Sequence, residues 1–393
     1  MKRIAALLCT AAFVAAIAAP CVAVETADTP PPAKAAFPAG PSLAAPSAIL
    51  IERDSGTVLT EKNADARLAP ASVTKVMTLL LTMEAIDSGQ ITKDSVLTVS
   101  QNAMDMGGST AYLGAGEKYS VHDMLKAVAI QSANDAAIAL AEFLSGSESA
   151  FVDRMNIRAR ELGMTNTQFK NCHGLDADGH YTSSRDIALM SRELLLHPDI
   201  RNYTTIWMDS LRDGTFQLAN TNRLVRFYPG ATGLKTGSTS KAGCCISASA
   251  ERDGMELIAV IMNADNTDDR FNGARALLDF GFATFTAIKA YPDQVPVPVP
   301  VRLGEVKEIQ PVIENERGIV VEKSKAGAIT RDITLSQKVT APIIKGQRLG
   351  ELTLSLDGKP LITVPLVAAE DVKRLSFGMV LGRLLKTLVF GRV

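Results

Sequence analysis

A chain of 393 residues, 47% of them hydrophobic, can bury one large core and still supply a second domain. Its 41 Lys and Arg balance 42 Asp and Glu, which excludes the net basic field that nucleic-acid binding uses. Four scattered histidines and five cysteines contain no cluster with zinc-ligand spacing, so neither a metal nor another cofactor is expected.

At the N-terminus, Lys2 and Arg3 precede an apolar run from Ile4 to Ala19, and Cys21-Val22-Ala23 offers small residues for cleavage after Ala23. This is the pattern of a secretory signal over residues 1–23, the run being short for a spanning helix. Its removal leaves Cys172, Cys244 and Cys245, which read as small buried hydrophobes. Residues 24–46, rich in Pro and Ala, read as an extended linker.

Ser47 to Leu59 then reads as a hairpin turning at Asp54-Ser55-Gly56. Ala71 to Asp87 is apolar nearly all round, as a helix in the middle of a domain would be. Val121 to Ile130 and Asp135 to Leu144 predict two more helices with a short polar break between them. From Gly233 the pattern changes to strands: Leu234 to Thr239, Gly243 to Ala250 and Met255 to Met262, the last two joined by Arg252-Asp253-Gly254. Thr267 to Phe285 predicts a closing helix. A strand pair at the start and three strands at the end, with helices between, imply one antiparallel sheet assembled from both ends. The fold class is therefore α/β (α+β) over residues 47–288.

Tyr291 to Val301 carries Pro at 292, 296, 298 and 300 and suits a linker or edge segment. Short strand-like pieces follow at Ile319-Val320-Val321, Ile329 to Leu335, Lys338 to Ile343, Glu351 to Leu356 and Leu361 to Leu366, predicting a small all-β domain over 289–367. Residues 368–393 predict an amphipathic helix. Phe377, Val380, Leu381, Leu384, Leu385 and Leu388 share one face, opposite Ser376, Arg383, Lys386 and Thr387. The two cations interrupt the apolar run, which suits a helix lying on a membrane surface. A terminal helix packed on its own domain gives the same pattern.

Three short motifs carry chemistry. In Pro70-Ala71-Ser72-Val73-Thr74-Lys75, a spacing of three puts Ser72 and Lys75 on one helical face. A serine needs a neighbouring base to become a nucleophile, and a lysine serves once burial lowers its pKa. Ser132-Ala133-Asn134 falls in the break between two helices, where side chains can project into a cleft. Lys235-Thr236-Gly237 falls on a strand, with Gly237 open to a ligand backbone. Any one of these arises by chance; together they follow the order of the serine penicillin-binding and β-lactamase superfamily.

With Gln131 to Ala136, His173-Gly174-Leu175-Asp176 and Gly233 to Gly237 added, the chain from about Ser47 to Phe285 resembles the low-molecular-mass penicillin-binding proteins, specifically the serine-type D-alanyl-D-alanine carboxypeptidases. The β-rich tail and amphipathic C-terminus are similar to that family's accessory parts. The resemblance implies removal of the terminal D-alanine from peptidoglycan pentapeptide stems, outside the cytoplasmic membrane, with β-lactams as covalent inhibitors. It implies Ser72 as nucleophile, Lys75 as base, Ser132 as proton carrier to the leaving amine, and Asn134 as partner of Lys75 or of the substrate amide. Lys235 would supply positive potential, and the Ser72 and Ser238 amides the oxyanion hole. Thr236, Gly237, Ser238 and Arg270 would contact substrate, Arg270 through a carboxylate, although an exposed arginine at a helix start fits its position too.

A β-lactamase or D,D-endopeptidase of the same fold, or a non-catalytic homologue that binds wall precursors, uses the same motifs. Many relatives have Gly where Ala133 stands, a change that affects only loop flexibility. Gly107-Gly108-Ser109 falls in a candidate loop that could border the cleft, with a plain turn the simpler reading. His173 and Asp176 invite a triad with Ser72, which Lys75 makes redundant.

Overall fold

The computed structural model describes residues 37–382. The signal expected at 1–23, the first part of the linker and the C-terminal helix past residue 382 lie outside the described residues.

Five antiparallel strands form the central sheet. They are β1 (Ser47–Glu52), β2 (Val58–Lys62), β3 (Ala231–Thr239), β4 (Gly243–Arg252) and β5 (Met255–Ala264), in the order β2-β1-β5-β4-β3. The first hairpin thus closes the sheet begun by the last three strands, Ile49 standing opposite Val260. β5 is apolar at every position from Leu257 to Met262 because both its faces are covered. Ile258, Val260 and Met262 join the core under the helices that lie between β2 and β3 in sequence, and Leu257, Ala259 and Ile261 pack on the other face.

On the first face lie α1 (Lys75–Asp87), α2 (Val121–Lys126), α3 (Asn134–Ser145), α4 (Glu148–Glu161) and α5 (Ser184–Leu195). On the second lies α6 (Thr267–Thr284), which buries Phe271, Ala274, Leu277, Leu278 and Phe282. Each such large aliphatic or aromatic side chain contributes about 1.5–3 kcal/mol when withdrawn from water. The helices α4 and α5 are not among the elements expected above, although Ile187, Met190, Leu194 and Leu195 give α5 a clear apolar stripe at helical spacing. Their start signals are in the sequence all the same: the Ser147 hydroxyl accepts from the Ala150 N–H, and the Ser183 hydroxyl from the Asp186 N–H.

The end of the expected linker is packed rather than extended. The Phe37 ring meets that of Phe285 edge-on at 4.9 Å, and Lys62 Nζ donates to the Leu43 carbonyl at 2.7 Å.

Beyond α6, Phe285–Lys289 pairs with Gly318–Glu322, so the strand expected in the tail is the one that ties the two domains together. The β domain is built on a four-stranded sheet with Pro311–Ile313, Lys359–Ala368, Arg348–Leu356 and Ile329–Leu335 in that order. Val299–Arg302 lies between Glu308–Ile309 and Val339–Thr340 in a smaller sheet. The strand expected at Lys338 to Ile343 contracts to Val339–Thr340, since Pro342 has no N–H to give a ladder. The β domain also continues past residue 367. Val372 is buried and exchanges backbone hydrogen bonds with Ile343, and helix begins only at Phe377.

Candidate active site

A 3-10 turn at Ala71–Thr74 leads into α1 and sets Ser72 at the surface of the cleft, with Lys75 directly beneath it. Ser72 is half-buried, whereas Lys75 is 0% exposed. Lys75 Nζ lies 3.0 Å from Ser72 Oγ, 2.6 Å from Asn134 Oδ1 and 2.6 Å from the His173 carbonyl oxygen. Burial is the main influence on this amine and lowers its pKa to about 7, with Asp135 acting in the opposite direction. The neighbouring Cys172 thiol is itself held protonated by burial and adds no charge. In the neutral amine, the two N–H groups go to Asn134 and to the His173 carbonyl. The lone pair is then left for the Ser72 hydroxyl.

The second motif is held by a break in the helix. A π turn at Ala127–Gln131 ends in Ser132, whose backbone is left-handed at φ 65°, and α3 starts two residues later. Asn134 is clamped from outside: its Nδ2 donates to the Gly107 carbonyl at 2.7 Å, and its N–H to the Ser109 carbonyl at 2.7 Å. Ser109 Oγ returns a bond to the Gln131 carbonyl. The reading of Gly107 to Ser109 as a plain turn is therefore corrected: it is the wall that orients Asn134. A Cβ on Gly108, whose φ is +83°, would stand 2.8 Å from Asn134 Nδ2. Asp135, next in sequence, accepts from the Ala111, Leu113 and Ala136 amides and fixes the segment behind that wall.

The third motif forms the other side on β3. Lys235 is buried, and its Nζ donates to the Thr236 carbonyl at 2.9 Å. Burial, and then the nearby cations Lys75 and Arg270, push its pKa well below the usual lysine range. Thr236 Oγ1 donates to Thr221 Oγ1 at 2.7 Å, while the Thr221 amide bonds the Ile130 carbonyl across the cleft floor. Ser238 is exposed at the strand's end, its Oγ 3.7 Å from Cys244 Sγ. Thr221 escapes a reading of the sequence because its loop carries no periodicity; only its strand-side partner is marked by a motif.

Arg270 is not the exposed helix-start residue its position allows. It is buried, its Nη1 donates to the Gly237 carbonyl at 3.2 Å and to that of Cys245 at 3.5 Å, and its guanidinium lies over the Phe271 ring. Here it braces the back of β3. Burial lowers its pKa from the usual arginine range.

No triad forms with His173 or Asp176. His173 Nδ1 accepts from the Leu175 N–H, Nε2 faces Glu148 at 3.5 Å, and burial holds the ring neutral with a pKa of about 3. Asp176 accepts from Thr239 Oγ1. What His173 gives the site is its backbone carbonyl. Gly174 makes that possible: at φ +95° any Cβ there would collide with the Ala71 carbonyl oxygen at 2.0 Å.

The arrangement is a half-buried hydroxyl facing a neutral buried amine, with the Arg270 guanidinium behind β3 to favour negative charge and Lys235 placed to take up a proton when an anion enters. It suits nucleophilic acyl transfer to an anionic substrate. Two family models match the chain. The D-alanyl-D-alanine carboxypeptidase family matches residues 33–266, and the C-terminal domain of penicillin-binding protein 5 matches residues 282–374. D-alanyl-D-alanine carboxypeptidase DacF of Bacillus subtilis is 44% identical over 338 residues, covering 85% of this chain and 87% of its own. Among solved structures, penicillin-binding protein 5 from Haemophilus influenzae superposes with a TM-score of 0.73 at 30% identity, over 85% of this chain and 99% of that one. Penicillin-binding protein D2 from Listeria monocytogenes, in its ampicillin-bound form, matches 62% of this chain and 100% of its own with a TM-score of 0.57 at 33% identity. On sequence, two-domain architecture and fold alike, the chain belongs to the D-alanyl-D-alanine carboxypeptidase family, the low-molecular-mass penicillin-binding proteins.

Proposed function

We propose that, as a D-alanyl-D-alanine carboxypeptidase, this chain uses Ser72 to remove the terminal D-alanine of peptidoglycan stem peptides. The observation that carries the reading is the approach of Lys75 Nζ to Ser72 Oγ at 3.0 Å, with both its N–H groups engaged elsewhere. Ser72 Oγ attacks the carbonyl carbon of the penultimate D-alanine while its proton passes to Lys75 Nζ. Charge develops on the carbonyl oxygen, toward which the Ser72 and Ser238 amides would donate. The C–N bond then breaks, and the departing amine takes up a proton relayed through Ser132. Water attacks the Ser72 ester, losing a proton to Lys75, which returns it to Ser72 Oγ as the ester C–O bond breaks; the shortened peptide leaves as an acid that ionises in water.

The terminal carboxylate of the substrate suits a site with Lys235, Thr236 and Ser238 at its edge, backed by Arg270. Lys235 is held towards neutrality in the free enzyme, and an incoming carboxylate would favour its ammonium form. A β-lactam would enter the same reaction, its ring amide opening on Ser72 with the leaving nitrogen still tethered. The ampicillin-bound form of the Listeria protein supports this. The substrate lies outside the cytoplasmic membrane, in keeping with a signal-like N-terminus and an interfacial C-terminal helix.

Two assays test the reading. Fluorescent penicillin should label the wild-type chain covalently and leave Ser72→Ala unlabelled. A pentapeptide ending in D-Ala-D-Ala should release free D-alanine. Labelling that survives Ser72→Ala refutes the assigned nucleophile, and labelling without D-alanine release refutes the assigned substrate.

A further inference from the structure

One end of the β domain carries apolar side chains that its own small cores do not use. Leu303 is 50% exposed, Val306 42% and Ile344 71%. Leu303 also sits at φ +56°, a left-handed conformation in which a bulky leucine is strained and a glycine would be at ease. Half of that leucine's surface is nonetheless left to solvent.

These residues lie on two loops joined to the segment by which the chain leaves the domain. The Leu375 N–H donates to the Leu303 carbonyl at 2.8 Å, and the Glu305 N–H to the Lys373 carbonyl at 3.0 Å. On the other side Ile343 and Val372 exchange backbone bonds of 2.9 Å, and the Lys345 N–H donates to Asp371 Oδ1 at 2.7 Å. Residues 371–375 are thus held between the two loops, and the helix that begins at Phe377 leaves from the same end. Its first turns expose Phe377 at 82%, with Met379, Val380 and Leu381 also open. Around these apolar groups stand the exposed cations Arg302, Lys307, Lys345, Lys373 and Arg374, five against the four acids Glu305, Glu308, Glu370 and Asp371.

We infer that this end of the β domain is itself a membrane-contacting surface, with Leu303, Val306 and Ile344 entering the interface of an anionic bilayer beside the C-terminal helix. Apolar tips ringed by lysine and arginine are what a lipid interface of negative charge accepts. The inference rests on reading the C-terminal helix as interfacial. It adds a second, rigid contact that fixes how the domain stands on the membrane.

The test uses the purified full chain and vesicles of phosphatidylglycerol and phosphatidylcholine. Ile344→Trp should shift its emission to the blue on vesicle addition and be quenched by brominated acyl chains, against the background of Trp207 measured in the wild type. Leu303→Ser with Ile344→Ser should weaken vesicle binding about tenfold while penicillin labelling stays unchanged. Serine variants that sediment as the wild type does overturn the surface and leave the helix reading standing. So does an Ile344→Trp variant that binds vesicles with its added indole emission unmoved. Conversely, Phe377→Ser with Leu381→Ser can be placed in the Ile344→Trp background. If that protein binds like the wild type and its added indole is still quenched, the surface stands and the helix reading falls. A wild-type chain that binds no vesicles overturns both.

Discussion

Gly237 stands so close to Ser72 that a Cβ at position 237 would lie 2.6 Å from the Ser72 amide nitrogen. The glycine of the third motif is therefore a spacing element, bringing the edge of β3 against the turn that carries Ser72. Arg270 holds the same residue from behind through its carbonyl. The contact is made by backbone on the Ser72 side, so no rotamer change relieves it.

Gly237→Ala should consequently separate folding from chemistry. Overpacking of this kind costs about 1–3 kcal/mol of stability, within reach of a protein with a core of this size. Acylation should fall by about 100-fold, the effect of displacing a reacting group by roughly 1 Å. Thermal melts and the second-order rate of penicillin labelling measure the two. A variant that labels at the wild-type rate contradicts the spacing role.

The Lys75 amine sets a second expectation. Its pKa of about 7 lies below the ordinary lysine value because of burial, and its neutral form is the base we propose. Acylation should therefore rise with pH through about 7 and level off above it. Asn134→Asp would put a carboxylate where an amide oxygen now lies 2.6 Å from Nζ. Opposite charge favours the ammonium, so the profile should move up by roughly 1–3 units and the rate at neutral pH should drop. An unmoved midpoint would mean that the titrating group is not Lys75.

Much of this site could be read from the sequence, for a physical reason. Ser72, Lys75, Ser132, Asn134 and Lys235 lie on short segments whose local chemistry is legible: a helix start, a helix break and a strand edge. The sheet was legible too, since β5 is apolar without interruption from Leu257 to Met262 and the turns around it are glycine-marked. What was not legible depends on contacts between segments far apart in sequence. Gly107 to Ser109 reads as a turn until Asn134 is seen bonded to it. His173 attracts notice as an imidazole, yet its role lies in a carbonyl that every residue possesses. The strand at Gly318–Glu322 reads as part of the tail because its partner at Phe285–Lys289 continues an apolar helical pattern.

Asp135 is the buried charge that secures the wall behind Asn134, accepting from three backbone amides. Asp135→Asn replaces one acceptor oxygen by a donor and leaves at least one buried N–H unpaired. Destabilisation of about 1–3 kcal/mol is expected from that group alone. Penicillin labelling should slow as well, because the Asn134 clamp loosens. Denaturant melts compared with labelling rates check both effects, and a variant as stable as the wild type would place the wall's rigidity elsewhere.

Acid stability follows from the two buried histidines. His180 is locked as a neutral tautomer: Nδ1 accepts from the Lys170 N–H, which leaves Nε2–H to donate to Thr74 Oγ1 at 2.9 Å. Burial lowers its pKa to about 4, and that of His173 to about 3. Between those values and the ordinary histidine value of about 6.5, the unfolded chain binds protons that the folded chain refuses. Stability must therefore fall as pH drops from about 6.5 towards 4, and each histidine contributes in the same direction. For His180 the full effect is on the order of 3 kcal/mol, from its lowered pKa and about 1.4 kcal/mol per unit. His180→Gln keeps polar atoms in reach of Thr74 and Lys170 but cannot titrate. Its melting temperature should be lower than the wild type's at about pH 7 and should decline less steeply on going to about pH 4.5. Parallel curves for the two proteins would show that the acid sensitivity arises from other groups.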